Sequence, residues 1–321
     1  MLRRHRDQPV GLERSMKTGF PSVSVVLPVF NDRQRLEKCL ESLENQTYPR
    51  DYYEVVVIDN ASTVDLKELV ARFQQAHYCY EEKPGSYAAR NKGLLVAKGE
   101  IIAFTDSDCI PASDWIERGV SVLQQIPDCG LVGGVITLFF KNPDRLTGAE
   151  LYERLNGFPQ QEYIEQSQFG ATANVFTSRK ILDAVGVFDP DLKSGGDAEW
   201  GKRVAKAGYQ LCYADDVRVA HPARSTYSEY YKKTIRVMSG LPDFHQPGSV
   251  PLIVIIRQLI QGVKPPVSRI RRTLAKAGAD GISQYVKLSL FILFLHYVWV
   301  IERARLNIKK GSSQNRVGGL T

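Results

Sequence analysis

Residues 99–117 read GEIIAFTDSDCIPASDWIE. The apolar run Ile101–Phe104 has the look of a buried strand, and it leads directly into Thr105-Asp106-Ser107-Asp108. Two carboxylates one residue apart repel each other and resist burial. The pattern therefore asks for a positive partner between them. A strand-end Asp-x-Asp with a small middle residue suits Mn²⁺ or Mg²⁺, hard ions that take oxygen ligands and usually combine one or two carboxylates with substrate phosphates. In the competing reading, Asp108 or Ser113 is only the cap of a helix begun by ASDWIE. No glycine and glutamate follow at the spacing of a calcium loop.

Working backward from this strand, the chain alternates. SVSVVLPVF (22–30) is a β-branched run, and NDRQRLEKCLESLENQ places Leu36, Cys39, Leu40 and Leu43 at helical spacing behind an Asn31 or Asp32 cap. YEVVVIDNAS is a second strand ending in Asp59, and TVDLKELVARFQQA a second helix capped by Ser62 or Thr63. HYCYEE is a short third strand, and SYAARNKGLLVAKG a third helix closed by Gly99. Such β-α alternation predicts an α/β fold with a mostly parallel central sheet and helices on both faces. Ligands of such sheets bind beyond the carboxyl ends of the strands. Here those ends carry Asn31, Asp59-Asn60 and Asp106-Ser107-Asp108. There is no GxGxxG after the first strand and no GxxxxGK[ST], so the usual dinucleotide and P-loop readings are weak.

At 321 residues the chain is long enough for one large or two modest domains. Its five cysteines show no CxxC spacing, which argues against a zinc site or disulfide frame. The first 20 residues are basic without an apolar core and read as a flexible tail rather than a secretory signal, with Met16 an alternative start. Charge is unevenly divided. Residues 1–221 hold 26 Lys+Arg and 31 Asp+Glu, whereas 222–321 hold 16 and 4.

Four blocks, VSVVLPVFN, VVVIDNAS, PGSYAARNKGLLVAKGEIIAFTDSDCIP and SGGDAEWGKRVAKAGY, stand in an order and spacing that resembles a family 2 glycosyltransferase. The resemblance covers about residues 21–221. It implies the GT-A fold, with a Rossmann-like nucleotide half (21–110) and an acceptor half (111–221), and inverting transfer from a nucleotide-diphospho-sugar. By the same resemblance Asp59 binds the nucleobase, Pro28 and Val29 line it, and Arg90 sits near base and phosphates. Asp106 and Asp108 match the metal motif. A second aspartate is common after the first and is Asn60 here. Asp197 matches the general base, but the glutamate usual before it is replaced by Gly196. Glu199 is expected to hold acceptor hydroxyls or Arg203, and Trp200 to stack on a sugar or sit in the core. Some GT-A enzymes bind metal through a histidine where DVRVAH ends in His221. Gly170-Ala171 would let a sugar approach the backbone closely.

From residue 222 the resemblance loosens into a basic and apolar helical region. VPLIVIIRQLI, KPPVSRIRRTLAKAG and the seventeen-residue run 285–301 suggest amphipathic or re-entrant helices on an anionic membrane surface, with a true span left open. The expected partners are a nucleotide-diphospho-sugar, a glycan or lipid-linked acceptor and the cytoplasmic face of a membrane. A homo-oligomer is left open, and nucleic acid would explain the charge but not the apolar run. A nucleotidyltransferase shares such a sheet and acidic site, but PVFNDRQRL lacks the glycines of its phosphate loop. A non-catalytic scaffold fits poorly with Asp59, Asp106, Asp108 and Asp197 all present.

Overall fold

The computed structural model describes residues 19–240, 250–278 and 281–317. The expected basic tail, including Met16, lies outside them except for Gly19 and Phe20. Eight strands form one sheet in the order β3-β2-β1-β4-β7-β6-β8-β5. They are β1 Val23–Val29, β2 Tyr53–Asp59, β3 Ala76–Tyr80, β4 Ile101–Thr105, β5 Ile110–Pro111, β6 Cys129–Phe139, β7 Asn174–Ser178 and β8 Gln210–Pro222. β3, β2, β1 and β4 are parallel, as the alternation of the first hundred residues demands. Beyond β4 the sheet is mixed. β7 enters antiparallel between β4 and β6, and β6 and β8 run parallel to each other.

The strands alternate faces, and the two faces build two cores. Val23, Val25 and Leu27 of β1 pack beneath α1 (Arg33–Glu44) and α4 (Trp115–Gln125). Val26 and Ile102 pack against α3 (Ser86–Val96), α7 (Arg179–Val185) and α8 (Gly196–Lys206). Trp115 and Phe176 are fully buried, with rings 4.7 Å apart. Each such side chain contributes on the order of 1.5–3 kcal/mol by leaving water. Asn174 joins the second half. Its amide donates to the carbonyls of Val135 and Val217, and its oxygen accepts from Trp115 Nε1.

Three local expectations are corrected. The second helix is only one turn, α2 Lys67–Val70, not 63–76. Ser62 and Thr63 do not cap it, because Thr63 is bonded to Asn31 and Ser62 to Asp59. After Val70 the chain leaves by turns at Phe73 and Ala76 to reach its pairing with β2. Gly99 closes no helix. α3 ends three residues earlier, and a Cβ at Gly99 would strike the backbone of Val23 and Ser24, so the glycine permits a close strand approach. Asp108 and Ser113 cap nothing either, since α4 begins after Asp114.

The last third is helical: α9 Tyr227–Ser239, α10 Leu252–Gly262, α11 Val267–Ala277 and α12 Ile282–Val317. Leu288, Phe291, Ile292 and Leu295 recur on one face of α12 and pack against α5 (Gly148–Asn156) and α9. The helix begins three residues before the apolar run and continues well past its end. Ile282–Lys309 is long and apolar enough to cross a membrane, which agrees with the span that the sequence left open. The outer faces of α10 and α12 leave Leu252, Ile253, Ile260, Val263, Leu290 and Ile301 exposed.

Candidate active site

The carboxyl ends of β1, β2 and β4 and the far end of β8 open onto one crevice, and the side chains there are held by one another. Asn31, at a left-handed φ of 52°, receives the N–H and hydroxyl of Thr63 on its side-chain oxygen. Asp59 is buried at the end of β2. Its Oδ1 accepts the Ser62 N–H at 2.9 Å and its Oδ2 the Tyr78 hydroxyl at 2.8 Å. Asn60 has a structural use of its own. Its amide donates to Glu81 and Lys83 carbonyls and its oxygen accepts from Gly85 N–H, which clamps the loop leading into α3. A second aspartate could not donate those two bonds. Pro28 and Val29 lie beyond the last β1–β4 pair, Val26 with Phe104, and Val29 carbonyl accepts the Asn60 N–H.

α3 links the Asp106–Asp108 pair to Asp197. Arg90 is buried and donates to Asp106 Oδ1 at 2.5 Å. One turn earlier, Tyr87 donates its hydroxyl to Asp197 Oδ1 at 3.3 Å. Asp197 stands in the first turn of α8 and also accepts the Ala198 N–H. Burial pushes its carboxyl above the usual range, against the pull of that N–H and of Arg90. Gly195 reaches φ 79° to start the helix, and a Cβ at Gly196 would meet the Tyr87 ring at 2.8 Å. The missing glutamate is therefore the space that Tyr87 occupies.

Asp108 lies 3.6 Å from His221 Nε2 and 3.5 Å from Arg35. His221 Nδ1 lies 2.8 Å from the Pro222 carbonyl, which accepts its N–H, so Nε2 is the ring nitrogen that faces Asp108. Burial, then Asp106, raises the Asp108 carboxyl against the pull of His221. A half-buried carboxylate with only long contacts to positive groups, beside an imidazole nitrogen, is a donor set that fits a hard divalent ion. Cys109 Sγ is close to both. Its thiol is buried and driven far above its ordinary value, so it stays protonated and packs as a small apolar group.

Other expected contacts lie elsewhere. Trp200 is 1% exposed, packs on Phe188 and donates Nε1–H to Gly186 carbonyl, so it belongs to the core and offers no face to a sugar. A Cβ on Gly170 would meet Val175 and Leu131, and Ala171 exchanges both backbone bonds with Gln160, so this pair is enclosed by protein. Glu199 forms a two-point ion pair with Arg203, whose remaining donors go to Val185 and Val187 carbonyls and tie α8 to the end of α7. Tyr87, Arg35 and the cations of α9 were not singled out from sequence. Only Tyr87, one turn from Arg90 in the third block, stood where a sequence signal reached it.

Residues 24–186 match the sequence profile of Glycosyl transferase family 2. The glycosyltransferase AglE of Haloferax volcanii is 40% identical over 230 residues, which cover 70% of this chain and 74% of that protein. This chain belongs to glycosyltransferase family 2. A second relative is the dolichyl N-acetyl-alpha-D-glucosaminyl phosphate 3-beta-D-2,3-diacetamido-2,3-dideoxy-beta-D-glucuronosyltransferase of Methanococcus voltae, 26% identical over 66% of this chain and 70% of its own length. The mannosyltransferase PcManGT of Pyrobaculum calidifontis, solved with GDP-Man and Mn²⁺, aligns over 88% of each chain with a TM-score of 0.58 at 21% identity. The glycosyltransferase thus has the GT-A fold. The family match begins in β1 and ends after α7, so it contains Asp59, Arg90, Asp106 and Asp108 but stops short of Asp197 and His221.

Proposed function

We propose that this glycosyltransferase moves a sugar from a nucleotide-diphospho-sugar to a glycan or lipid-linked acceptor by a single inverting displacement, at the cytoplasmic face of a membrane. The observation that carries the reading is the chain Asp106–Arg90, Tyr87–Asp197 across α3, which couples the strand-end carboxylates to a half-buried carboxylate in the second half. Asp59, with Pro28, Val29 and Asn31 beside it, receives the base. Asp108, Asp106 and His221 are the residues to hold Mn²⁺ or Mg²⁺. When bound, the ion offsets the charge of the departing diphosphate.

The acceptor hydroxyl oxygen attacks the anomeric carbon as the bond to the diphosphate breaks, and the hydroxyl proton passes to Asp197. A carboxyl raised toward neutral pH is the better base. Tyr87 and the Ala198 N–H fix the orientation of Asp197 by bonding the oxygen that does not need to move. Arg90 supplies positive charge near both halves. The lipid-linked alternative is supported by the dolichyl phosphate in the name of the Methanococcus voltae relative and by the exposed apolar faces of α10 and α12.

A screen of nucleoside diphosphates and their sugars by calorimetry on the full chain tests the reading. At least one should bind in Mn²⁺ or Mg²⁺ and weaken strongly in EDTA or in Asp108→Ala. Equal affinity with and without the ion would remove the metal assignment.

A further inference from the structure

Past His221 the crevice opens into a compartment whose basic side takes no part in the displacement proposed above. It measures about 290 Å³ and is bounded by Asp108 and His221, by Arg35 of α1, and by the turn 222–224 with α9. Among the described residues five cations, Arg35, Arg224, Lys232, Lys233 and Arg236, line it beside two carboxylates, Asp108 and Glu229. Glu229 is committed to the start of α9, where one oxygen accepts the Ser225 and Thr226 N–H groups and the Thr226 hydroxyl.

Beneath the pocket lies Glu153 of α5, 1% exposed. It accepts from the Arg224 backbone N–H, from the Arg224 guanidinium at 2.6 Å, and stands 3.6 Å from Lys233 Nζ. One buried carboxylate therefore orders two cations that both still reach the pocket. Burial first, then Arg224, brings Lys233 down to about 8 despite Glu153. The cluster thus carries more positive charge than it neutralises, a condition that a bound anion relieves.

α9 has a second role. Tyr227 and Tyr230 pack on Phe291 and Phe294 of α12. The basic pocket thus sits between the Asp108–His221 pair and the apolar helices, a place suited to an anionic head on an apolar tail. Resting on the transferase reading above, we propose that this pocket binds the phosphate through which the acceptor is joined to its lipid. Arg224, Lys233 and Arg236 donate to the phosphate oxygens, and the lipid chain follows α12. The acceptor is then a lipid-linked phosphate rather than a free glycan.

Calorimetry on the full chain in detergent, with geranylgeranyl phosphate as the probe, tests this. Geranylgeraniol, inorganic phosphate and a nucleoside diphosphate with Mn²⁺ serve as comparisons. The prenyl phosphate should bind more tightly than the alcohol and than inorganic phosphate. Lys233→Gln and Arg236→Gln should each weaken it about tenfold, the loss of one charge-assisted bond, and leave the nucleoside diphosphate within about twofold. Arg236→Gln keeps both partners of Glu153 and carries the test if Lys233→Gln fails to fold. Equal binding of phosphate and alcohol overturns the proposal. So does a parallel loss of nucleoside diphosphate, which would assign the pocket to the donor, or inorganic phosphate binding as tightly as the prenyl phosphate. Wild-type protein that binds prenyl phosphate but no nucleotide would keep the pocket and sink the transferase reading instead.

Discussion

Val26 of β1 and Ile253 of α10 are both aliphatic residues in regular structure, yet one is 0% and the other 71% exposed. The sheet half and the helical third use the same side chains for opposite ends. In residues 23–105 the strands β1, β2 and β4 bury both of their faces, and the polar groups at the strand ends are tied by specific bonds. In α10 and α12 only one face finds protein, and a row of isoleucines and leucines meets the surroundings. A patch of that kind marks an interaction surface. The contrast teaches where each region's energy goes: into internal packing in the first, into a contact outside the chain in the second.

The strongest test of the contrast acts at the junction of the two halves. Asp197→Asn should leave donor affinity unchanged and slow transfer by about 10²–10⁴-fold, since an amide cannot take the proton. A near-wild-type rate would remove Asp197 as the base. The same substitution should affect stability in the opposite direction. Asp197 binds its proton more tightly folded than unfolded, so its contribution falls as pH rises through the raised folded value. Asp197→Asn should therefore raise Tm at neutral pH, and the gain should vanish below about pH 4, where the unfolded carboxyl is protonated too. Thermal melts at both pH values check the sign.

Next in size is the seam that holds the helical third to the rest. Phe291 is fully buried against Tyr152, Tyr227 and Tyr230. Phe291→Ala should cost about 3–5 kcal/mol in denaturant unfolding. A loss under about 1 kcal/mol would mean that α12 is held by lipid rather than by α5 and α9. The smallest expected stability effect is on the outer face. Ile253→Ser with Leu290→Ser should change folding by no more than about 0.5 kcal/mol each, yet reduce flotation with anionic vesicles. Undiminished flotation would break the comparison at its base.

The four parallel strands were readable because β-branched runs separated by helical spacing leave few other packings. The position of Asp59, Asp106 and Asp108 at strand ends was readable because an apolar run that stops at a carboxylate marks where the strand leaves the core. α2 was overdrawn because Leu66, Leu69 and Val70 do lie at helical spacing, and nothing in the sequence states that β3 needs the following residues to turn back. Trp200 and Gly170 were misplaced for a related reason: a large aromatic and a glycine serve a core as well as they serve a sugar, and only packing decides. The basic pocket was hidden because Arg35 and Arg224 are nearly two hundred residues apart, and Glu153, which orders it, is an ordinary helix glutamate until it is buried.

The antiparallel entry of β7 between β4 and β6 bears on how the chain is made. Thr105 pairs with Asn174 and Ile101 with Ser178, so β4 has no neighbour on that side until some seventy further residues exist. At about 5–20 residues per second of synthesis, that leaves an apolar edge strand open for roughly 3–14 seconds. All five residues of β4 are buried in the finished protein, and none is charged. Asp106 and Asp108 lie just beyond that edge, and carboxylates there discourage strand-to-strand association between nascent chains. The residues assigned to hold the metal would then also protect the unfinished sheet.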